Sequence, residues 1–141
     1  MDEEKIIVSA CLAGLCCRYD GETKPCEAVV KLVREGRALP VCPEQLGGLP
    51  TPRMPAEKRG DRVVRQDGVD VTAEFVRGAE ESLKLSKLIG ARTAILKSRS
   101  PSCGCGVIYD GSFSGKLIPG DGETAALFKA NGIQIITEED L

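Results

Sequence analysis

The sequence predicts an α/β fold: a Rossmann-like, mainly parallel sheet flanked by helices, in one domain spanning residues 1–141. Three observations carry that expectation. Short apolar runs of strand length alternate with longer segments whose apolar residues recur at helical spacing. The connections after the runs at 5–9, 37–42 and 93–97 are rich in Gly, Pro, Ser and Cys, the composition of loops. A chain of 141 residues also suits one domain. It buries roughly 70% of the surface its unfolded chain would expose and needs no disulfide staples.

Each element has its own signal. Lys5–Ser9 is the first apolar run, and Cys11–Lys24 reads as a loop. From Pro25 to Glu35 the spacing of Ala28, Val29, Leu32 and Val33 predicts a helix, with Pro25 in its first turn and Gly36 at its stop. Arg37–Cys42 is a second strand, ended by Pro43. Residues 43–61 carry four prolines and several glycines, so an ordered, structureless active-site loop is expected. Arg62–Arg65 predicts a small strand and Asp67-Gly68 a turn. A helix follows, with Thr72 as its N-cap, Phe75, Val76, Ala79, Leu83, Ser86 and Leu88 near one face, and Gly90 at its end. Thr93–Lys97 is the third main strand and Ser98–Gly106 another loop. Val107–Tyr109 with Ser112–Phe113 suggests a turn or small hairpin. Thr124–Asn131 is a helix capped by Gly132, and Ile133–Thr137 a last strand. Right-handed crossovers place the loops after the three main strands on one rim.

Composition narrows the function classes. Hydrophobic residues at 42% and charged residues at 28% exclude general disorder. A net charge of −2 and 4% aromatics argue against a nucleic-acid footprint or stacking platform for a single strand. Arg53, Lys58, Arg59 and Arg62 form at most a local basic loop. The acidic start, Met1-Asp2-Glu3-Glu4-Lys5, has no basic leader and no apolar run approaches about 20 residues, so neither a signal peptide nor a membrane span is expected. A cytoplasmic location follows as the expectation. There, seven cysteines without a single histidine read as thiols for a metal, a cluster or catalysis.

Cys11, Cys42 and Cys103 each follow a predicted strand, so the topology brings them to the rim where open α/β sheets bind ligands. Three thiolates there suit a metal or iron–sulfur centre with one position left for chemistry. Cys17 is the most plausible further participant, while Cys16, Cys26 and Cys105 read mostly as small buried apolar residues. Glu44, two residues past Cys42, is positioned to move protons if burial raises its pKa. Without histidine, no Cys–His or Ser–His pair exists. Ser98, Ser100 and Ser102 place hydroxyls beside Cys103, and Lys97 and Arg99 either offset thiolate charge or lie on the surface. Gly120–Thr124 precedes a helix, where Asp121 and Glu123 read as capping residues.

Several segments resemble the thiouracil desulfurase (desulfidase) family. They are Ser9-Ala10-Cys11-Leu12, Arg18-Tyr19-Asp20-Gly21, Cys42-Pro43-Glu44 with Gly47 to Arg53, Ser100-Pro101-Ser102-Cys103-Gly104, and Ile108-Tyr109-Asp110-Gly111. The likeness runs in matching order over nearly the whole chain. It implies a [4Fe-4S] cluster held by Cys11, Cys42 and Cys103, with the fourth iron free of protein ligands. It also implies non-redox replacement of a thiocarbonyl sulfur by oxygen on a thiolated pyrimidine, the sulfide being captured on the open iron. Glu44 would manage protons, and Ser100 or Ser102 would orient substrate or water; Arg53 and Tyr19 would shape the pocket. The substrate would be a free thiobase such as 2-thiouracil, or a thiolated nucleoside including one within tRNA. Two other readings stay open at this point: a regulatory module whose surplus cysteines close a metal site, and a persulfide carrier using Cys103.

Overall fold

The computed structural model describes residues 4–141; Met1, Asp2 and Glu3 of the acidic start lie outside the described residues. Four parallel strands form the central sheet: β1 (Ile6–Ser9), β2 (Ala38–Val41), β5 (Thr93–Leu96) and β8 (Gln134–Thr137), in the order β2-β1-β5-β8. The register pairs Ile6 with Ala38 and Thr93, and Leu96 with Thr137. β1 is followed by α1 (Glu27–Arg34) and leads out to the edge strand β2. The chain then crosses back over β1 through α3 (Thr72–Ile89) to β5, and α4 (Glu123–Ala130) leads on to β8. Strand order therefore reverses between β1 and β5, and such a switch point opens a crevice at the carboxyl ends of the strands. Pro40 lies in β2, at the edge, where a missing backbone donor does least harm.

Alternation along the strands builds two cores. Ile7, Ala94 and Leu96 face α3 and α4, packing with Phe128 and Ala125. Ile6, Val8 and Ile95 face the other way and pack with Val29 and Leu32 of α1. Helices thus flank the sheet as the apolar periodicity predicts. The large side chains Phe75, Phe128, Ile7 and Leu96 are fully buried.

Beyond the sheet, the rest of the structure refines several expectations. The stretch after β2 is not structureless. It opens with the short helix α2 (Pro43–Leu46) and ends in β3 (Ala56–Arg59), which pairs antiparallel with β4 (Arg62–Arg65). The predicted basic loop is this hairpin, and Lys58, Arg59 and Arg62 are each engaged with protein acceptors. Gly47 of the α2 end and Gly78 of α3 let the two helices touch. A Cβ on Gly78 would fall 1.9 Å from the Pro43 carbonyl, and one on Gly47 would fall 1.9 Å from that of Glu74.

The α1 helix starts at Glu27, with Cys26 rather than Pro25 at its border. Val71 occupies the cap position of α3, and Thr72 is its first residue. The Asp70 carboxylate takes the Thr72 amide at 2.8 Å, while the Thr72 hydroxyl donates nothing to the helix and accepts the Val63 amide. On α3, Leu88 is 80% exposed, and the buried face runs through Phe75, Gly78, Ala79, Ser82 and Ser86. The small hairpin pairs β6 (Val107–Tyr109) with β7 (Leu117–Pro119), so residues 112–113 belong to its turn instead of its second strand. Gly122 borders α4 without a side-chain cap. Asp121 instead accepts the Gly106 amide and pairs with Lys129, and Glu123 pairs with Lys58.

Candidate functional site

The crevice at the switch point is a cavity of about 530 Å³, within the usual range for small-molecule sites. Cys11 enters it from a 3-10 turn over Ala10–Ala13 that continues β1. Cys42 enters from the end of β2, where its backbone begins α2, and Cys103 from the loop after β5. Three strand ends thus deliver three thiols to one place, as the topology predicts. Cys17 joins them: its thiol contacts those of Cys11 and Cys42, and its carbonyl accepts the Cys42 thiol at 3.7 Å. All seven cysteines are free thiols. Cys105 and Cys26 are half-buried and packed against the two cores, as read from sequence, whereas Cys16 is exposed.

The electrostatics of the thiols are coherent. Contact with Cys11 pushes Cys17 up to about 11. Contact with Cys17, and then burial, pushes Cys42 well above the ordinary thiol range. Burial pushes Cys103 up to about 12, opposed by the Ser9 hydroxyl. These are environments for neutral thiols unless a cation draws off their protons. Among the described residues no three or more His, Cys, Asp or Glu side chains are arranged to hold one metal ion. A tetrahedral zinc needs its ligands around a single point. An iron–sulfur cluster spreads them over separate irons, so thiols set around a cavity fit it. Cys11, Cys42 and Cys103, each following a different strand, are placed where they could hold such a group, and Cys17 stands beside them.

Glu44 lines the cavity two residues beyond Cys42, in the first turn of α2. Its carboxylate is paired with a guanidinium, which was not foreseen from sequence. Arg53 donates through Nε at 2.7 Å and Nη2 at 2.5 Å to Glu44 Oε2. The same guanidinium donates to the Cys17 carbonyl at 3.0 Å, to the Pro50 carbonyl and to the Thr51 hydroxyl. The side-chain bonds of Arg53 therefore tie Glu44 to the prolyl loop and to Cys17, and its amide donates to the Tyr19 carbonyl at 2.7 Å. Two charge-assisted donors on one oxygen fix the position of that oxygen and leave Oε1 clear of the guanidinium. Tyr19, at the rim, also lines the cavity.

The two candidate serines separate. Ser100 lines the cavity and its hydroxyl accepts the amides of Ser102 and Cys103, both at 3.0 Å. Ser102 is fully buried, with its hydroxyl 2.8 Å from that of Thr124 on α4. Ser98 bonds Glu138, which also pairs with Lys97 at 2.9 Å; Arg99 pairs with Glu139. The positive side chains near Cys103 are thus already committed to carboxylates. Ser9 had no role assigned from sequence, yet it lines the cavity beside Cys103 and accepts the Lys97 amide at 2.9 Å. Its place at the end of the first strand, two residues before Cys11, was the available signal.

The chain is similar to known proteins along nearly its whole length. The family model described as 2-thiouracil desulfurase matches residues 6–140. The chain is 47% identical to the uncharacterized protein YbbK of Bacillus subtilis (strain 168) over 146 aligned positions, covering 96% of this chain and 97% of that protein. Its fold superposes on the solved structure of the [4Fe-4S]-dependent thiouracil desulfidase TudS with a TM-score of 0.95. The two are 54% identical, and the match covers 99% of this chain and 93% of TudS. By that match over nearly its whole length, the chain belongs to the 2-thiouracil desulfurase family.

Proposed function

We propose that this protein is a [4Fe-4S]-dependent, non-redox desulfurase that replaces the thiocarbonyl sulfur of a 2-thiouracil-like pyrimidine by oxygen. The observation that carries the reading is the meeting of Cys11, Cys42 and Cys103 around one cavity that also holds the Glu44–Arg53 pair. When bound through these three thiolates, the cluster supplies one iron without a protein ligand, a Lewis acid for sulfur.

The chain supplies the rest. Glu44 accepts a proton from the attacking water and passes it to the departing sulfur, so that the oxo base gains only the oxygen, and Arg53 holds that carboxylate in place. Ser100 is the serine that faces substrate or water, with its hydroxyl proton free because its oxygen accepts two amides. Ser102 is assigned to bracing the loop against α4. Leu49, Pro50 and Met54 line the outer part of the cavity and limit water there.

A cavity of about 530 Å³ suits one base beside a cluster, and the net charge of −2 gives no attraction to a polyanion. A free thiobase or nucleoside is therefore the substrate, in preference to tRNA. No helix among the described residues is long and apolar enough to cross a membrane, and the free thiols suit a reducing cytoplasm.

The test is anaerobic reconstitution followed by incubation with 2-thiouracil. Uracil and one equivalent of sulfide are expected, with no added electron donor. Turnover by cluster-free protein, with a persulfide on Cys103, would replace this reading with the sulfur-carrier one.

A further inference from the structure

The sequence contains five aromatic residues, three Phe and two Tyr. Phe75 and Phe128 are fully buried. Tyr19, Tyr109 and Phe113 line the cavity, as does Phe75 from the core side. Phe113 stands out among them because it lies in the β6–β7 turn with φ at 57°. Gly, Asn and Asp adopt that left-handed conformation readily; a bulky aromatic does so rarely, and such strain concentrates at ligand-binding positions.

The turn is clamped from a distance. Glu57 Oε1 on β3 accepts the Gly111 amide at 3.0 Å and the Phe113 amide at 3.1 Å. Arg59 donates Nε and Nη2 to the Gly111 carbonyl at 3.2 and 2.8 Å. Gly111 itself, at φ 94°, lies so close to β3 that a Cβ would fall 2.8 Å from the Lys58 carbonyl. Closing a short β-hairpin requires none of these long-range bonds. Their effect is to hold an unfavourable residue still where it lines the cavity that also holds the thiols.

We propose that Phe113 is the face on which the pyrimidine ring stacks, and that the β6–β7 turn, clamped by Glu57 and Arg59, sets specificity for planar six-membered thiobases. The inference rests on the desulfurase reading and names the residue that recognises its substrate. A flat, weakly polar heterocycle gains contact on an aromatic face whatever its exocyclic atoms, so the product uracil stacks as the substrate does. Tyr109, on the preceding strand, borders the same space. Glu57 is a positioning residue, since it acts through the turn.

The test compares uracil binding by titration calorimetry, and melting temperature, for cluster-loaded wild type, Phe113→Asn and Phe113→Tyr. Asn accepts the left-handed backbone but offers no ring. Phe113→Asn is expected to weaken uracil binding about tenfold, the usual scale for loss of one aromatic–base stack, while its melting temperature stays level or rises. Phe113→Tyr keeps the wild-type affinity. In 2-thiouracil turnover the Asn variant raises KM with kcat nearly unchanged. Unaltered uracil binding in Phe113→Asn, or a fall in melting temperature with affinity intact, would assign Phe113 to packing and overturn the proposal. Should the Asn variant not fold, Phe113→Leu carries the same comparison, with weakened binding expected and wild-type binding overturning it. Wild type that binds uracil but leaves 2-thiouracil unchanged would instead refute the desulfurase reading, leaving the stacking comparison intact.

Discussion

The two walls of the cavity are built in opposite ways. One wall is the carboxyl edge of a parallel sheet, and its chemical groups, Cys11, Cys42 and Cys103, stand where β1, β2 and β5 end. The other wall consists of two small antiparallel hairpins and a prolyl loop, held by Arg53, Glu57 and Arg59 through bonds that span up to 56 residues of sequence. The sheet wall needs only backbone pairing and buried aliphatic side chains to place a sulfur. The hairpin wall needs specific charged partners, so single substitutions there should alter turnover and recognition without unfolding the core.

The largest effect expected is on the sheet wall. Alanine at Cys11, Cys42 or Cys103 should remove both cluster and activity, read as loss of brown colour and of uracil formation. Activity retained in any one of the three would show that its thiol is not a ligand. Next comes the boundary between the walls. Glu44→Gln keeps the cluster and lowers kcat about 100-fold or more, the scale of a lost general base. Arg53→Lys, which keeps the charge but loses the paired donors on Glu44 Oε2 and the bonds to the prolyl loop, should lower kcat less and leave iron content unchanged.

A third prediction concerns how α2 is seated. Gly78→Ala places a methyl group against the Pro43 carbonyl. Overpacking of that kind costs about 1–3 kcal/mol, more than the gain of about 1 kcal/mol from replacing glycine in a helix. A lowered denaturation midpoint with a reduced kcat is expected, because the same shift displaces Cys42 and Glu44; a stabilised variant would show that α2 yields freely.

The smallest effect lies far from the thiols. Burial alone would raise the Glu138 carboxyl, but Lys97 and Ser98 outweigh it and hold it below its usual range. A carboxylate depressed in the folded state contributes stability that is present above its unfolded value and lost as pH falls toward the folded one. The stability difference between wild type and Glu138→Gln should therefore narrow as pH drops below about 4.5. A difference independent of pH there would remove the ion pair from the explanation.

How much could be read in advance follows the same division. Ile6–Ser9, Ala38–Val41 and Thr93–Leu96 announce themselves as apolar runs, and parallel pairing with right-handed crossovers then puts Cys11, Cys42 and Cys103 on one rim. Glu44 was legible through its spacing from Cys42. The Arg53 bonds were not, because a guanidinium nine residues from its carboxylate across a prolyl loop leaves no periodic trace. Ser100 and Ser102 look alike in sequence; only the packing of α4 turns Ser102 onto Thr124. Placing Leu88 on the buried stripe is an error: two residues past Ser86 it stands about 200° round the helix, and it faces solvent. Local pattern specifies strands and helices, whereas the hairpin wall depends on partners far apart in sequence.

Iron and acid-labile sulfide per chain, measured side by side in anaerobically reconstituted wild type and Cys17→Ser, test the central claim most directly. Cys17 touches two of the proposed ligand thiols, yet three thiolates suffice in this account. About four irons and four sulfides per chain in both proteins are expected for a [4Fe-4S] centre. Zinc or negligible iron in the wild type, or loss of the cluster in Cys17→Ser alone, would contradict a three-thiolate cluster with an open iron.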